Sequence, residues 1–140
     1  MEKVSLRLAT KKEKSLVVSF DPYCLKIEVH IAKAISNEEC FIVLSSSKTV
    51  GFVIFDYRFF YQGWIDLIIL DEKYRGMGIG GQVFDLICEQ CKADKVFTST
   101  NSSNLRMQSA LTKSGFTFAG RLDGLDDDDL ELFYYKKIKK

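Results

Sequence analysis

Hydrophobic and polar residues follow two spacings along the chain, and each spacing predicts a different kind of element. Alternation of apolar and polar positions, or a short apolar run bounded by turn residues, is typical of a strand. Recurrence at intervals of three and four residues is typical of a helix. Predicted strands cover residues 4–8, 40–44, 51–61, 64–70, 95–100, 116–121 and 130–138. Predicted helices cover residues 11–19, 23–37, a stretch after residue 81 that ends near Cys91, and 104–114, with Gly115 as a left-handed cap.

The order of these elements indicates the architecture. Strand 51–61 places Val53, Phe55, Tyr57 and Phe59 on one face, and Gln62-Gly63 is predicted to turn it back into strand 64–70. A helix separates strand 64–70 from strand 95–100, so those two strands are predicted to be parallel. The fold class is therefore α/β, a single domain over residues 1–140 with a mixed, mostly antiparallel sheet of about six or seven strands and helices on both faces.

Composition excludes several classes of protein. The 140 residues carry 20 Lys and Arg against 19 Asp and Glu, so net charge does not drive binding to nucleic acid or membranes. The N-terminus lacks a signal-peptide pattern, and no apolar run approaches the roughly 18 residues of a membrane span. We therefore expect a cytoplasmic protein with four reduced cysteines. Cys88 and Cys91 form a C-x-x-C pair, but His30 is the single histidine and is interpreted as an ordinary helix residue, so no metal site is expected.

The segment that carries chemistry is Arg75-Gly76-Met77-Gly78-Ile79-Gly80-Gly81, between a strand end and a helix start. Backbone N–H groups at a helix start have no partner within the helix and carry a partial positive charge. Glycines let several of them converge on one anion, and Arg75 adds a cation. The segment predicts a cradle for a phosphate or pyrophosphate.

Two common phosphate-binding motifs, the dinucleotide fingerprint and the P-loop, do not account for this segment. Gly76, Gly78 and Gly81 satisfy G-x-G-x-x-G, but the dinucleotide fingerprint belongs to the first βα turn and needs an acidic residue about 20 positions on. Several strands precede the glycines here, and residues 96–101 contain no acid. The G-K-[ST] of a P-loop is absent. A glycine-rich mobile turn is the remaining alternative.

Arg75-Gly76-Met77-Gly78-Ile79-Gly80 resembles the Arg/Gln-x-x-Gly-x-Gly/Ala signature of the GNAT superfamily of acyl-CoA-dependent N-acyltransferases. The Asn before the next helix and the Gly-Phe after it match Asn104 and Gly115-Phe116. The element order agrees over essentially the whole chain. The acidic segment before the last strand is similar to that of a subgroup of small bacterial members.

The resemblance implies where acetyl-CoA binds. The pyrophosphate would lie on the N–H groups of residues 77–81, with Arg75 beside them. Pantetheine would pair with the backbone of Ile68 and Leu70, and the Leu70 N–H would stabilise the oxyanion of the thioester. The strand would part from its parallel neighbour, commonly with the help of a bulge. Asn104 would hydrogen-bond the pantetheine, cap the following helix, or do both.

The resemblance also implies N-acetylation of a primary amine by direct attack on the thioester. Asp66, expected on the same strand face as Ile68 and Leu70, is the candidate general base. The alternatives for Asp66 are a hydrogen-bonded structural acid or an anchor for the substrate amine. Leu111 occupies the position where relatives carry a tyrosine acid, and Tyr134 or Tyr135 is a candidate substitute, although both also fit core or edge positions.

Two charged segments are also prominent in the sequence. The acidic run 126–129, with Glu131, is either a solvated loop or an attraction for a cationic acceptor. The lysine-rich C-terminus is interpreted as a solvated tail, with no nucleic-acid partner. Exposed edge strands are compatible with a homodimer. The competing functional hypothesis is a non-catalytic acyl-CoA-binding or scaffold domain, and it follows from Leu111.

Overall fold

Seven strands, four α-helices and three short 3-10 helices make up the computed structural model, which describes residues 3–138. The terminal residues Met1, Glu2, Lys139 and Lys140 lie outside the described residues. The strands are β1 Val4–Leu8, β2 Cys40–Ser45, β3 Lys48–Phe59, β4 Gln62–Leu70, β5 Lys95–Asn101, β6 Thr117–Asp126 and β7 Asp129–Lys137. The helices are α1 Lys14–Ser19, α2 Glu28–Ser36, α3 Ile79–Gln90 and α4 Leu105–Lys113.

All seven strands join one sheet in the order β1-β2-β3-β4-β5-β7-β6. Pairing is parallel between β4 and β5 and antiparallel between the other neighbours. The parallel pair is the one that α3 connects, as the crossover rule predicts. The predicted α/β class and mixed sheet are confirmed.

Each face of the sheet has its own apolar core. On one face, Val53, Phe55 and Ile65 pack with Val83 and Phe84 of α3 in a cluster that also includes α4. On the other face, residues such as Phe52 and Ile54 pack with α1 and α2. We call these the α3/α4 face and the α1/α2 face. The apolar side chains along β3 supply both cores, because successive side chains point to opposite faces.

The two N-terminal helices begin later than the sequence predicts. The segments Lys11–Glu13 and Pro22–Ile27 are 3-10 helices, and α-helix follows only from Lys14 and from Glu28. The Asp21 side chain accepts a hydrogen bond from the Tyr23 N–H, and Pro22 follows at the first helical position. This cap fixes a tight first turn, whose 3-10 geometry the apolar spacing alone does not reveal.

The predicted turn at Gln62-Gly63 is wrong. Phe59 pairs with Gln62, so Phe60 and Tyr61 form the two-residue turn, and both have positive φ, at 53° and 66°. Gly63 lies inside β4, where an added Cβ would be 2.9 Å from the Cys91 sulfur. Packing between β4 and the end of α3 therefore requires the glycine, and the turn does not.

Phe59 also lies on the face opposite to the one predicted. The register of β3 against β4 shifts between Asp56 and Phe59. Phe59 then stacks on Trp64 at 4.7 Å between ring centroids and contacts Phe97 at 5.0 Å, whereas Tyr57 remains beside Phe55. A shift of one residue exchanges the faces, because the side-chain period of a strand is two.

The C-x-x-C residues are thiols of the α3/α4 core. All four cysteines are free, and Cys91 is buried. Burial raises the pKa of the Cys88 thiol to about 11, so it is protonated at neutral pH. Among the described residues, no three His, Cys, Asp or Glu side chains are grouped to hold a metal ion.

Gly51 allows β3 to approach the end of β4. It pairs with Leu70, and an added Cβ would overlap the Ile69 carbonyl oxygen and lie 2.9 Å from the Leu70 Cα. Those atoms belong to the backbone, so they cannot rotate away. The position of Leu70 therefore depends on a hydrogen atom in place of a side chain at residue 51.

We expect Gly51→Ala to lower the free energy of unfolding by about 1–3 kcal/mol, because strand β4 must shift. Urea unfolding monitored by circular dichroism measures this change. Gly80→Ala is the matched control, since an added Cβ there meets nothing within 4 Å and the residue is helical. Equal midpoints for Gly51→Ala and the wild type would show that β3 and β4 do not need this close approach.

Candidate active site

Strands β4 and β5 part in the middle of the sheet. Their parallel pairing covers Gly63 with Val96, Trp64 with Phe97 and Ile65 with Thr98. The Thr98 hydroxyl also donates to the Ile65 carbonyl at 2.9 Å. Beyond this point β4 continues beside β3 to Leu70, and β5 continues beside β7 to Asn101. A split therefore opens between two adjacent strands.

The β4 edge of the split presents backbone hydrogen-bonding groups of Ile68 and Leu70. The Asp71 N–H donates to the Val50 carbonyl at 2.8 Å, which makes that residue pair hydrogen-bonded. Antiparallel pairs alternate between hydrogen-bonded and non-hydrogen-bonded. Leu70 and Ile68 therefore occupy non-hydrogen-bonded pairs with β3, and their N–H and C=O groups face the split. An extended ligand could pair with these groups as an added strand.

The glycine segment turns from β4 into α3 with two residues in the left-handed region. Gly76 has φ +77° and Gly78 has φ +80°, and Gly78 is the N-cap of α3. No side chain among the described residues caps this helix. Added Cβ atoms at Gly76, Gly78 and Gly80 would meet nothing within 4 Å, so the glycines border open space. The backbone N–H groups of the first turn of α3 are accessible to an anion.

A single cleft of about 440 Å³ joins the β4 edge to the glycine segment. Nine of the residues predicted to bind the cofactor line it, and they are Ile68, Leu70, Arg75, Gly76, Gly78, Ile79, Gly80, Gly81 and Asn104. Met77 is not among the lining residues, and its side chain is exposed. Asp21, Arg106 and Met107 also line the cleft, and no motif in the sequence indicates them. Tertiary packing brings Asp21 there from a distant part of the sequence.

Arg75 holds the end of β4 in addition to bordering the cleft. Its Nε donates to the Leu70 carbonyl at 2.9 Å, and its guanidinium bonds the Asp21 carboxylate at 2.6 Å. The Tyr23 backbone N–H and the Arg75 guanidinium hold the pKa of the Asp21 carboxyl below its usual value. The Arg75 contact fixes the orientation of the Leu70 carbonyl. The predicted cation is present, but one carboxylate already balances part of its charge.

The α4 side of the cleft has one polar anchor at its start. Asn104 is the N-cap of α4, and its side-chain oxygen accepts from the Met107 N–H at 3.2 Å. The capping role is thus present, and Asn104 also lines the cleft. Arg106 follows in the first turn, exposed and without an ion pair among the described residues. This arginine is a cation available to a phosphate. The glycine-rich motif of residues 75–81 does not indicate a role for Arg106.

The prediction that Asp66 shares a face with Ile68 and Leu70 is wrong. Ile54 pairs with Leu67 and Phe55 pairs with Ile65, so Asp66 is an extra residue on β4. Such a bulge moves the following side chains by one position. Ile68 and Leu70 pack on the α3/α4 core, whereas Asp66 contacts α2 on the opposite face.

Asp66 lies immediately after the last β4–β5 pair, at the mouth of the split, with both carboxylate oxygens bonded. Trp64 Nε1 donates to Oδ1 at 3.0 Å, and His30 Nε2 lies 2.5 Å from Oδ2. The Asp66 side chain is 26% exposed and that of His30 is 54% exposed. The sequence predicts only an ordinary helix residue at His30, so its contact with the candidate base is a finding of the tertiary structure.

The structure places no acid where relatives carry their tyrosine. Leu111 is fully buried in the α3/α4 core. The α4 side chains that line the cleft past Asn104 are Arg106, Met107 and Ala110, and Met107 and Ala110 are apolar. Tyr134 is buried against Phe118, and Tyr135 stacks on Phe97 on the other face. Neither tyrosine lines the cleft.

The acidic run forms a hairpin turn, and part of it is structural. Asp126 pairs with Asp129 across the β6–β7 turn. The Ser102 and Ser103 hydroxyls donate to Asp129 at 2.6 Å each, and these bonds lower the pKa of its carboxyl. Asn101 donates to Asp126 at 2.8 Å. The run therefore anchors the segment after β5, and the carboxylates of the turn itself stay at the surface.

Comparison with known families identifies the class of protein. The model of the acetyltransferase (GNAT) family matches residues 10–116, which span the β4 edge, the glycine segment and α4. The chain belongs to the GNAT acetyltransferase family. A comparison with curated protein sequences gave no match.

Solved structures agree with this assignment over nearly the full length. A GNAT-family acetyltransferase from Bacillus cereus is 26% identical, with a TM-score of 0.89 and 99% of each chain covered. Ard1 from Thermoplasma volcanium is 18% identical, with a TM-score of 0.83 over 98% of this chain and 99% of that one. The protein yncA from Salmonella typhimurium, solved with its cofactor acetyl-CoA, is 11% identical, with a TM-score of 0.77 and coverage of 98% and 95%. At the two lower identities the likeness concerns the fold.

Within residues 3–138, no helix is long and apolar enough to cross a membrane.

We expect Gly78→Val to weaken binding of coenzyme A at least tenfold, because a branched side chain at φ +80° fills the open space and strains the backbone. Isothermal titration calorimetry measures the affinity. Gly124→Val is the matched control, since Gly124 has φ +90° and open space around it but lies on β6, away from the cleft. Unchanged affinity in Gly78→Val would contradict the pyrophosphate site.

Proposed function

We propose that the protein transfers the acetyl group of acetyl-CoA to a primary amine by direct attack of the amine on the thioester. One observation carries this proposal. The outward-facing backbone groups of Ile68 and Leu70 and the uncapped start of α3 border one continuous cleft. An extended arm joined to a pyrophosphate, as in coenzyme A, matches that arrangement.

The residues of the cleft fit acetyl-CoA. The first-turn N–H groups of α3, between Gly78 and Gly81, would hold the pyrophosphate, with Arg75 and Arg106 as nearby cations. Ile68 and Leu70 would pair with the pantetheine amides, and Asn104 would bond them from α4. When bound, acetyl-CoA supplies an activated acetyl group. The acetyl-CoA complex of yncA, which shares the fold, supports this choice of co-substrate.

Leu70 has the second role of stabilising the oxyanion. Its N–H faces the split, and its carbonyl is held by Arg75, so this end of the strand has a fixed orientation. One preorganised donor aimed at a developing negative charge lowers a barrier by roughly 3–4 kcal/mol. The thioester oxygen would accept from this N–H as the amine attacks.

The Asp66 carboxylate, together with the groups bonded to it, marks the proposed place at which the amine loses its proton. A lysine-type amine with a pKa near 10.4 is neutral in only about one molecule in 2,500 at pH 7, so a proton acceptor is needed. Asp66 lies at the mouth of the split, on the face opposite to Ile68 and Leu70. An acceptor that approaches from the α1/α2 face would therefore meet the thioester from the side that the cofactor does not occupy.

Departure of the thiolate does not require a tyrosine. A thiol of pKa about 8.5 leaves readily compared with an alcohol or amine. Because Leu111 is buried, the thiolate would take its proton from solvent in this proposal. Leu111 in place of the tyrosine also supports the second candidate function, that of a domain that binds acyl-CoA without turnover.

The acceptor is proposed to be a small molecule or peptide that carries a cationic amine. Asp66 and the surface carboxylates of the β6–β7 turn would attract it. The neighbouring folds include a spermidine/spermine N-acetyltransferase from Vibrio cholerae. Four free cysteines support a cytoplasmic location, and neither nucleic acid nor a membrane is proposed as a partner. A homodimer through the edge strand β6 is supported by its exposed Phe118, Leu122 and Leu125.

We expect the wild-type protein to release free thiol from acetyl-CoA in the presence of at least one class of primary amine. A thiol-reactive dye and a panel of mono-, di- and polyamines, amino acids and peptides test this, with mass spectrometry of the acetylated amine. Binding of coenzyme A without thiol release from any amine would favour the acyl-CoA-binding alternative.

We expect Asp66→Asn to lower turnover by about 10²–10³, within the range for loss of a general base, while acetyl-CoA affinity stays the same. The defect should shrink at high pH, where more of the amine is already neutral. Steady-state rates between pH 6 and 10 measure it, and Asp85→Asn, an exposed aspartate on α3, is the control. Parallel pH profiles with equal rates for Asp66→Asn and wild type would show that Asp66 is structural.

A further inference from the structure

The single histidine of the chain is held against the carboxylate at the mouth of the split. His30 comes from α2, and its Nε2 lies 2.5 Å from Asp66 Oδ2. The second carboxylate oxygen of Asp66 accepts from Trp64 Nε1 at 3.0 Å. Three residues from two elements thus form one hydrogen-bonded row, Trp64–Asp66–His30. The row ends at the His30 imidazole, and the His30 side chain is 54% exposed.

This row determines which imidazole nitrogen is basic. An ionised carboxylate only accepts hydrogen bonds, so both of its neighbours must donate. Trp64 Nε1 is always a donor, and His30 Nε2 must then carry the proton of the neutral imidazole. Nδ1 keeps its lone pair, and it has no hydrogen-bond partner among the described residues. A carboxylate that fixes a histidine tautomer in this way leaves the other nitrogen ready to accept a proton.

An imidazole is also a better acceptor for this proton than a carboxylate. Transfer from an amine of pKa about 10.4 to an ordinary carboxylate of pKa about 3.9 is unfavourable by a factor of about 10^6.5. Transfer to an ordinary imidazole of pKa about 6.5 is unfavourable by about 10^4. General bases are most effective when their pKa lies near the working pH. The difference favours the histidine as the final acceptor, with the aspartate as its support.

We propose that His30 accepts the proton of the attacking amine, and that Asp66 holds the imidazole in position and in the Nε2–H tautomer. This inference rests on the proposed acetyltransferase function. The ammonium gives its first proton to His30 Nδ1, and the neutral nitrogen then forms the C–N bond as the C–S bond breaks. The nitrogen loses its second proton to solvent, and the coenzyme A thiolate takes a proton from solvent. His30 returns its proton to solvent, so the net products are the amide, the free thiol and one proton.

Water must connect the amine to the imidazole. Leu70 lies four positions after Asp66, which at about 3.3 Å per residue is roughly 13 Å of strand. The two residues also lie on opposite faces of the sheet. Side chains and the substrate cover part of this distance, and ordered water covers the rest. The exposure of His30 and Asp66 leaves both groups open to such water.

Other charged groups surround the pair. On the α2 side, Lys26, Glu28 and Lys33 line the same surface depression as His30, and Glu28 is bonded to Lys14 at 2.8 Å. On the strand side, Asp56 of β3 is buried and bonded to Arg58 at 3.2 Å. Burial raises the pKa of the Asp56 carboxyl, and the charge of Asp66 adds to that effect. Asp66 is the group in hydrogen-bond contact with the imidazole, so the test addresses this contact directly.

The test replaces His30 by glutamine. The Gln amide can still donate to Asp66, but it has no basic nitrogen. At pH 7 we expect kcat/KM for the best amine to fall about 10²-fold, with unchanged acetyl-CoA affinity and partial recovery at high pH. Lys33→Gln, which changes another polar side chain of α2, should keep the wild-type rate. Wild-type activity and an unchanged pH profile in His30→Gln would overturn the proposal, because His30 would then serve only to hold Asp66.

A second measurement does not depend on turnover. With one histidine in the chain, ¹⁵N NMR reports a single imidazole, and for its neutral form we expect the Nε2–H tautomer in the wild type. Asp66→Asn should allow a mixture of tautomers. The Nδ1–H tautomer in the wild type would overturn the proposal while leaving acetyl transfer untouched. Absence of thiol release from every amine would overturn the proposed function and this inference together, whereas an active wild type with an active His30→Gln would overturn the inference alone.

Discussion

The parting of β4 and β5 beyond Ile65 and Thr98 is the constraint on which the rest of the site depends. Each strand stays in register with its outer neighbour, β4 with β3 and β5 with β7. The two strands therefore diverge, and no strand within residues 3–138 pairs with the inner edge of β4 past this point. For this reason the backbone N–H and C=O groups of Ile68 and Leu70, which point away from β3 into the split, have no partner strand in the described part of the chain. A ligand that pairs with them completes hydrogen bonds that the sheet itself leaves open.

One extra residue in β4 distributes the chemistry over the two faces. Because Asp66 is the bulge, Ile68 and Leu70 contribute to the α3/α4 side, where the cleft and the glycine segment lie. Asp66 contributes to the α1/α2 side, where it meets His30. The proposed cofactor therefore binds at the split from the α3/α4 face, and the proposed proton acceptor lies on the α1/α2 face. Gly51 and Arg75 keep the end of β4 in place, the first by allowing close backbone contact and the second by bonding the Leu70 carbonyl.

The parts of the fold that were predictable rest on local stereochemistry. The glycine segment was recognisable because only glycine occupies the left-handed region at Gly76 and Gly78 without strain, and Gly115 was recognisable for the same reason. The turn between β3 and β4 was predicted at the wrong residues because a glycine can be needed for close packing as well as for a turn. Gly63 packs against Cys91. The turn is formed by Phe60 and Tyr61, which are not residue types typical of turns.

The amino-acid sequence by itself determined the α/β class, the parallel crossover through α3 and the glycine segment, since these follow from periodicity and from glycine conformations within short stretches of chain. Ile68, Leu70 and Asn104 were indicated by the resemblance to the GNAT family, and not by those local patterns. Tertiary structure alone decided the face on which Asp66 lies, its contact with His30 thirty-six residues earlier, and the bond between Arg75 and Asp21. The physical reason is register. A single-residue bulge exchanges the two faces of a strand, and no local pattern in the sequence reveals where that bulge falls.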